Sequence, residues 1–350
     1  MGEPSLVQAK PSRSWSISGV MTYMPFFYYY IGPMAFLSYL MSGRSLLGRF
    51  SYWGWFFGLS FTAYALLLLS TNGLADGMYV IRFCWGFLLF YLVFKSGIQI
   101  QVDKLLIFLS ILTIIEAVLV NTVISAETLP NYPIASAYGH FADIVGYQRP
   151  YSFGASASVT SVILAALLTV SKFGWRGKSL VFVAILTCMS GSGFLALFIY
   201  FFARTARIGY LLLVPAIVGI IYYGLALGLD HISLEYLSFL FDFKMGQIMD
   251  QISMNSLFIG VPLRGGVDGL GGDFAFLTFI QFNGLVGVLL FLMFLVVNTN
   301  KKNRLPLLIM VTGSLHYGTI FFLPGQLMFG YFLNLKSEAI QVSVSNKEVC

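Results

Sequence analysis

Two arginines stand apart in this chain by type and by place. Arg149 lies in Tyr147-Gln-Arg-Pro-Tyr151, ahead of an apolar run, and Arg264 lies in Gly260-Val-Pro-Leu-Arg264-Gly-Gly-Val-Asp268. A guanidinium is a planar fork of donors that matches two phosphate oxygens at once. Two of them, one from each segment, can hold a diphosphate and neutralise the charge that develops as its bond breaks. The plainer alternative is that each snorkels to lipid phosphate or pairs with a local carboxylate. Asp273 opens the next apolar run. There it either caps a helix through the dipole or serves as a base or hydrogen-bond acceptor for a hydroxyl. His316 lies inside an apolar run, where it either bonds a neighbouring helix or takes part in function. Arg82 and Glu116 are also inside apolar runs, and an ion pair between their helices is the expectation. No HExxH, CxxC or carboxylate pair points to a metal, and no cofactor is expected. The glycine run 265–272 lacks the GK[ST] of a phosphate loop and reads as a tight turn.

The elements that position these residues follow from composition. Apolar residues make up 58% of the 350 positions and charged residues 10%, against about 25% charged in a soluble domain. Such a chain cannot clothe a water-soluble enzyme. The expected fold is an all-α polytopic membrane protein, a single integral domain over 1–350. Apolar runs cover 17–41, 52–70, 78–95, 105–125, 153–171, 179–189, 193–203, 209–228, 273–297 and 305–323, with a short piece at 326–335. At about 20 residues per span they give eleven or twelve crossings. The uncertainty is at 17–41, which Pro25 and Gly32-Pro33 can break into a hairpin. Runs 179–189 and 193–203 read as two short spans joined at Ser190-Gly-Ser-Gly193. Gly54 and Gly58, like Gly224 and Gly228, read as close helix packing, and Cys84 and Cys188 as packing residues.

Lys and Arg then report sides rather than nucleic acid, despite a net charge of +6. Fourteen of the 20 fall in one set of alternate loops and only Arg149, Lys244 and Arg264 in the other, so the first set faces the cytoplasm. Nine carboxylates lie in or beside the opposite loops. Two of those outer loops are long, 126–152 and 229–272, and long loops in compact proteins are usually functional. Apolar spacing at Ile232, Tyr236, Phe239, Leu240 and Phe243 predicts an amphipathic helix over 232–254 in the outer interface.

Three segments resemble one family. Arg149-Pro-Tyr-Ser-Phe-Gly154 enters a span after an outer loop. Ser190-Gly-Ser-Gly193 turns between two short spans. Gly272-Asp273-Phe-Ala-Phe-Leu-Thr-Phe-Ile-Gln-Phe-Asn-Gly284-Leu-Val-Gly287 closes the second loop. In order and spacing they resemble the Wzy-type bacterial polysaccharide polymerases and the related O-antigen ligases. The resemblance covers roughly 140–297. It implies a GT-C-like glycosyltransferase bundle in the bacterial inner membrane with its active site facing the periplasm. The substrates it implies are undecaprenyl-diphosphate-linked glycans, both donor and acceptor, for O-antigen, capsule or exopolysaccharide synthesis. Arg149 and Arg264 would bind the diphosphate, and Asp273 would position or deprotonate the acceptor hydroxyl. Tyr147, Tyr151 and Tyr236 would stack on sugar faces, with His316 a further participant. A chain-length regulator or export partner is implied by the family alone. Many ligases carry a His where this chain has Asp273, which favours a polymerase. A flippase for the same lipid-linked sugars is the competing reading. It would set charges along a central cavity between broken helices, whereas here the unusual charges cluster at one face.

Overall fold

The computed structural model describes residues 21–47, 52–95, 98, 100–124, 147–154, 156–204, 254–261, 275–316 and 318–335, with single positions at 238, 242 and 246. Every regular element among them is helical. After a 3-10 turn Met24–Phe27, an α turn Tyr28–Ile31 and a 3-10 segment Gly32–Leu47, the chain forms α1 (Tyr52–Asn72), α2 (Leu74–Trp85), α3 (Phe87–Lys95) and α4 (Val102–Thr122). A 3-10 turn Ser152–Gly154 leads to α5 (Ala157–Val170), α6 (Trp175–Thr187) and α7 (Gly191–Arg204). Then come α8 (Met254–Ile259), α9 (Ala275–Asn298), α10 (Arg304–His316), a 3-10 turn Thr319–Phe321 and α11 (Leu323–Leu333).

Helices α1, α4 and α9 are long and apolar enough to cross a membrane, and α2 with α3 makes a fourth if that pair, bent by 56°, is one span. Several helices could therefore span a membrane, consistent with a multi-pass membrane protein. The run expected as a span at 153–171 and the short piece at 326–335 form shorter helices surrounded by protein. Helices α5 and α11 are buried along nearly their whole lengths. At 14 and 11 residues they extend about 21 and 17 Å, short of a hydrocarbon layer of about 30 Å. A helix that is apolar all round is apolar because protein surrounds it or because lipid does, and hydropathy does not separate the two. Here α5 packs against α6, α7 and α10, and α11 against α3.

The helices are repeatedly broken, and two buried amide side chains sit at three of the breaks. Gln326 Nε2 donates to the carbonyls of Arg82 (2.9 Å), Phe83 (2.8 Å) and Phe321 (3.0 Å), while its Oε1 accepts from the Tyr39 hydroxyl. Those carbonyls flank the α2–α3 bend at Gly86 and the end of the Thr319–Phe321 turn. Asn283 precedes the kink in α9 at Gly284 (φ 59). Its Oδ1 accepts from Trp85 Nε1 (2.7 Å) and the Tyr64 hydroxyl (2.9 Å), and its Nδ2 donates to the Phe279 carbonyl (2.9 Å). Around Trp85 the rings of Phe61, Tyr64, Phe87, Phe279 and Phe291 close the core.

One contact was not visible from hydropathy. Residues 254–261, inside the expected second outer loop, pack against α9. Gly260 (φ 84) meets the backbone of Phe282 and Asn283, and the Val261 N–H donates to the Gln281 carbonyl (2.8 Å). This contact lies six to nine residues inside α9, about 9–14 Å from its Ala275 end. Two glycines without side chains allow that backbone-to-backbone approach, which a hydropathy scan does not register. Most of the proposed amphipathic helix 232–254 lies outside the described residues, although Ser238, Asp242 and Gly246 are helical. One expectation is corrected here: Gly54 and Gly58 do not seal a helix pair. They line an open apolar groove of about 290 Å³ between α1, α3 and α9, and a Cβ at Gly58 would meet nothing within 4 Å. The Gly224 and Gly228 pair lies outside the described residues.

The two kinds of glycine should respond oppositely to alanine. At Gly284 an added Cβ would stand 2.5 Å from the Gly260 nitrogen in a left-handed backbone, so Gly284→Ala should lower unfolding stability in detergent by about 2 kcal/mol or more. Gly58→Ala should be neutral or stabilising by up to about 1 kcal/mol through helix propensity. Equal thermal midpoints for the two variants would contradict the kink's geometry.

Candidate functional site

The Arg149 turn is fastened to helices on both sides. On α4, Ser110, Thr113, Glu116, Ala117 and Asn121 share one face of an otherwise apolar helix, at spacings of three, four and eight. Glu116 Oε1 accepts from the backbone N–H groups of Tyr151 (3.0 Å) and Ser152 (2.7 Å). Ser152 is held at φ 50, and its hydroxyl lies 3.1 Å from that of Thr113. Asn121 and Gln148 exchange two bonds, side chain to carbonyl and backbone N–H to side chain, each 2.8 Å. From α5, Thr160 Oγ1 donates to the Tyr151 carbonyl (2.7 Å) and accepts from the Gly154 N–H (3.1 Å). Phe153 is fully buried edge-on to Phe26. A short loop with this many bonds presents Arg149 from a rigid base.

The turn between α6 and α7 meets it. The Tyr147 hydroxyl donates to the Thr187 carbonyl (2.7 Å), and the Ser190 hydroxyl donates to that of Ser158 (2.9 Å) near the start of α5. A Cβ on Gly193 would stand 2.6 Å from the Ser161 side chain, so the turn lies close on α5. Met189 at φ 41 makes the reversal. The charges of both Glu116 and Arg149 act on the Cys188 thiol, so a carboxylate and a guanidinium share this end of the bundle. Ser192 Oγ is buried there with no hydrogen-bond partner among the described residues. Two of the three segments singled out by sequence, Arg149–Gly154 and Ser190–Gly193, are therefore one place in the fold. Chemically it offers a half-buried guanidinium, several hydroxyls, and tyrosines at 147 and 151 that remain partly accessible.

The remaining expected residues distribute as follows. Arg264, Asp273 and Tyr236 lie outside the described residues. His316 ends α10, and its side chain lies outside them too. Ala275 and Gly318, each two residues further along the chain than Asp273 and His316, are neighbours: a Cβ at Gly318 would stand 3.1 Å from that of Ala275. The expected Arg82–Glu116 ion pair is not formed. Glu116 is taken by the Arg149 turn, and the Arg82 guanidinium lies between the rings of Phe36 (4.6 Å) and Tyr79 (4.7 Å). Two intramembrane charges of opposite sign invited pairing, but nothing in their spacing fixes which helices touch. Ser158 is the site residue that sequence reasoning passed over, and Glu116 was noted but given the wrong partner. The polar face of α4 was the available signal for Glu116. Cys84 and Cys188 are buried, as packing residues should be.

No protein-family model, no curated protein and no solved structure matches this chain.

Two outcomes follow for this site. Glu116→Ala would strand two backbone donors and should cost about 2 kcal/mol or more of unfolding stability, with Glu116→Gln closer to wild type because an acceptor oxygen remains. Burial, with the nearby Cys188 thiol adding, pushes the Tyr147 phenol up to about 12. The folded protein then keeps this proton longer than the unfolded chain, whose phenol titrates near 10. The Tyr147 contribution to stability should hold below pH 10 and be lost between about pH 10 and 12, and Tyr147→Phe should remove that share of the alkaline loss in a pH series of thermal melts.

Proposed function

We propose that this chain is a polysaccharide polymerase, a membrane glycosyltransferase of the GT-C type with eleven or twelve crossings. It would join undecaprenyl-diphosphate-linked repeat units at the periplasmic face of a bacterial inner membrane. The observation that carries the reading is the joining of the Arg149 turn to the Ser190 turn, because two segments of the resemblance, apart in sequence, meet around one arginine. In the proposed reaction the anomeric carbon–oxygen bond to the diphosphate breaks as the acceptor hydroxyl oxygen bonds that carbon. The hydroxyl proton passes to Asp273, and the diphosphate leaves against Arg149 and Arg264. Guanidinium groups balance its charge, so transfer is metal-independent. Tyr147, Tyr151 and Tyr236 supply sugar-stacking faces, and His316 lies near the end of a helix that approaches the start of α9.

A second reading has a specific observation in its favour. Helices broken at Gly86, Gly284 and Phe322 are the architecture in which transporters hold substrates. The chain would then be a flippase for the same lipid-linked sugars; an O-antigen ligase is the other enzyme alternative. One reconstitution separates them. Purified protein given lipid-linked repeat units should produce a ladder of longer glycans, unaffected by chelator. Arg149→Ala and Arg264→Ala, with unchanged melting, should each reduce the ladder about a hundredfold or more. Translocation across liposomes without a ladder would support the flippase, and transfer of finished glycan to a different acceptor would support the ligase.

A further inference from the structure

A second cationic place lies where the breaks in three segments meet. A pocket of about 160 Å³ is lined by Arg82 with Tyr28, Phe36, Tyr39, Tyr79 and Gln326, closed by Phe83 and residues 321–323. It has room for more than a single water. Arg82 is the charged residue of this lining, and no carboxylate belongs to it among the described residues. Arg82 lies eight residues into α2, about 12 Å from its Leu74 end, so its charge sits well inside the bent apolar pair α2 and α3. A cation at such depth is costly without a counter-charge and by default marks a functional site.

The pocket is built to hold that charge still. The Arg82 carbonyl is fixed by Gln326 (2.9 Å) and by the Gly86 N–H (3.1 Å). The guanidinium lies within cation–π range of the Phe36 and Tyr79 rings, at 4.6 and 4.7 Å. Contacts through ring faces do not use N–H donors, so the donors of the group remain for a ligand. The neighbouring amide has no such capacity left, since Gln326 spends its donors on three carbonyls and its oxygen on Tyr39. Arg82 itself remains exposed, so its donors are reachable from outside the protein.

We infer that the Arg82 pocket binds a phosphate group, carried on a membrane lipid. A planar fork of N–H donors matches the oxygens of a phosphate, and lipid phosphate is the anion a pocket in a membrane span meets first. The aromatic lining accepts the apolar or sugar part attached to it. This site is separate from the Arg149 turn and stands whether the chain polymerises or transports.

The test uses full-length protein in phosphatidylcholine nanodiscs. Short-chain phosphatidic acid or inorganic phosphate is titrated, and binding is read from the rise in melting temperature. Wild type should bind phosphatidic acid saturably. Arg82→Gln, with an unchanged unliganded melt, should weaken binding at least tenfold, and Phe36→Leu, which keeps the charge but removes one stacking ring, severalfold. Arg304→Gln, an exposed cation outside the pocket lining, should bind as wild type does. Arg82-dependent binding of inorganic phosphate at the same concentrations would keep the anion site and make its source soluble. Equal binding by folded Arg82→Gln, or an equal loss of binding in Arg304→Gln, would overturn the proposal, as would no binding by either ligand. If Arg82→Gln does not fold, unchanged affinity in both Phe36→Leu and Tyr79→Leu overturns it.

Discussion

In a layer without water, every backbone group freed by a broken helix must find a partner inside the protein. That constraint organises this chain. The breaks at Gly86 and Phe322 are answered by one amide, Gln326. The kink at Gly284 is accompanied by Asn283, which also fixes Trp85 and Tyr64 at the centre of the aromatic core. The irregular turn at 151–154 is answered by Glu116 from one side and Thr160 from the other. Each polar residue is therefore costly to bury alone and stabilising where it stands, because it replaces the water that the backbone would otherwise need.

The same breaks place the charges. Bending α2 at Gly86 sets Arg82 beside the 24–47 segment, where Phe36 and Tyr79 enclose it. Irregular backbone at 151–154 presents Arg149 next to the α6–α7 turn. The 24–31 segment touches both places: Tyr28 lines the Arg82 pocket, and Phe26 packs on Phe153 behind the Arg149 turn. Two cationic places thus flank one irregular segment, with hydroxyls, tyrosines and a carboxylate around the Arg149 turn and aromatic rings around Arg82. That is a workable surface for a substrate that is anionic at one point and a sugar or lipid elsewhere.

The helical class and the positions of α1, α4 and α9 were legible in the sequence because their apolar runs are long and uninterrupted. A break near Gly32 was one of two readings open in the sequence, because Pro25 and Gly32-Pro33 can interrupt a helix, and the chain does break at Gly32. What hydropathy could not distinguish was lipid from protein as the surroundings, so the central place of α5, expected as a span, and of α11, expected as a short apolar piece, was not legible. Nor could it show that residues 254–261 insert against α9, because that contact depends on missing side chains at Gly260 and Gly284. Arg149 and the Ser190 turn were visible as unusual residues and small-residue runs, but their union depends on Tyr147 and Ser158, which carry no sequence signal beyond type. Arg82 was visible and assigned the wrong partner. Charge complementarity is a weak guide to pairing when a guanidinium can be satisfied by ring faces instead.

The most direct measurement is a structure of the full-length protein with an undecaprenyl-diphosphate-linked repeat unit bound. The account predicts diphosphate density against the Arg149 guanidinium, with the first sugar beside Tyr147 or Tyr151 at the Ser190 turn. A diphosphate seated elsewhere, with the Arg149 turn unoccupied, would contradict it.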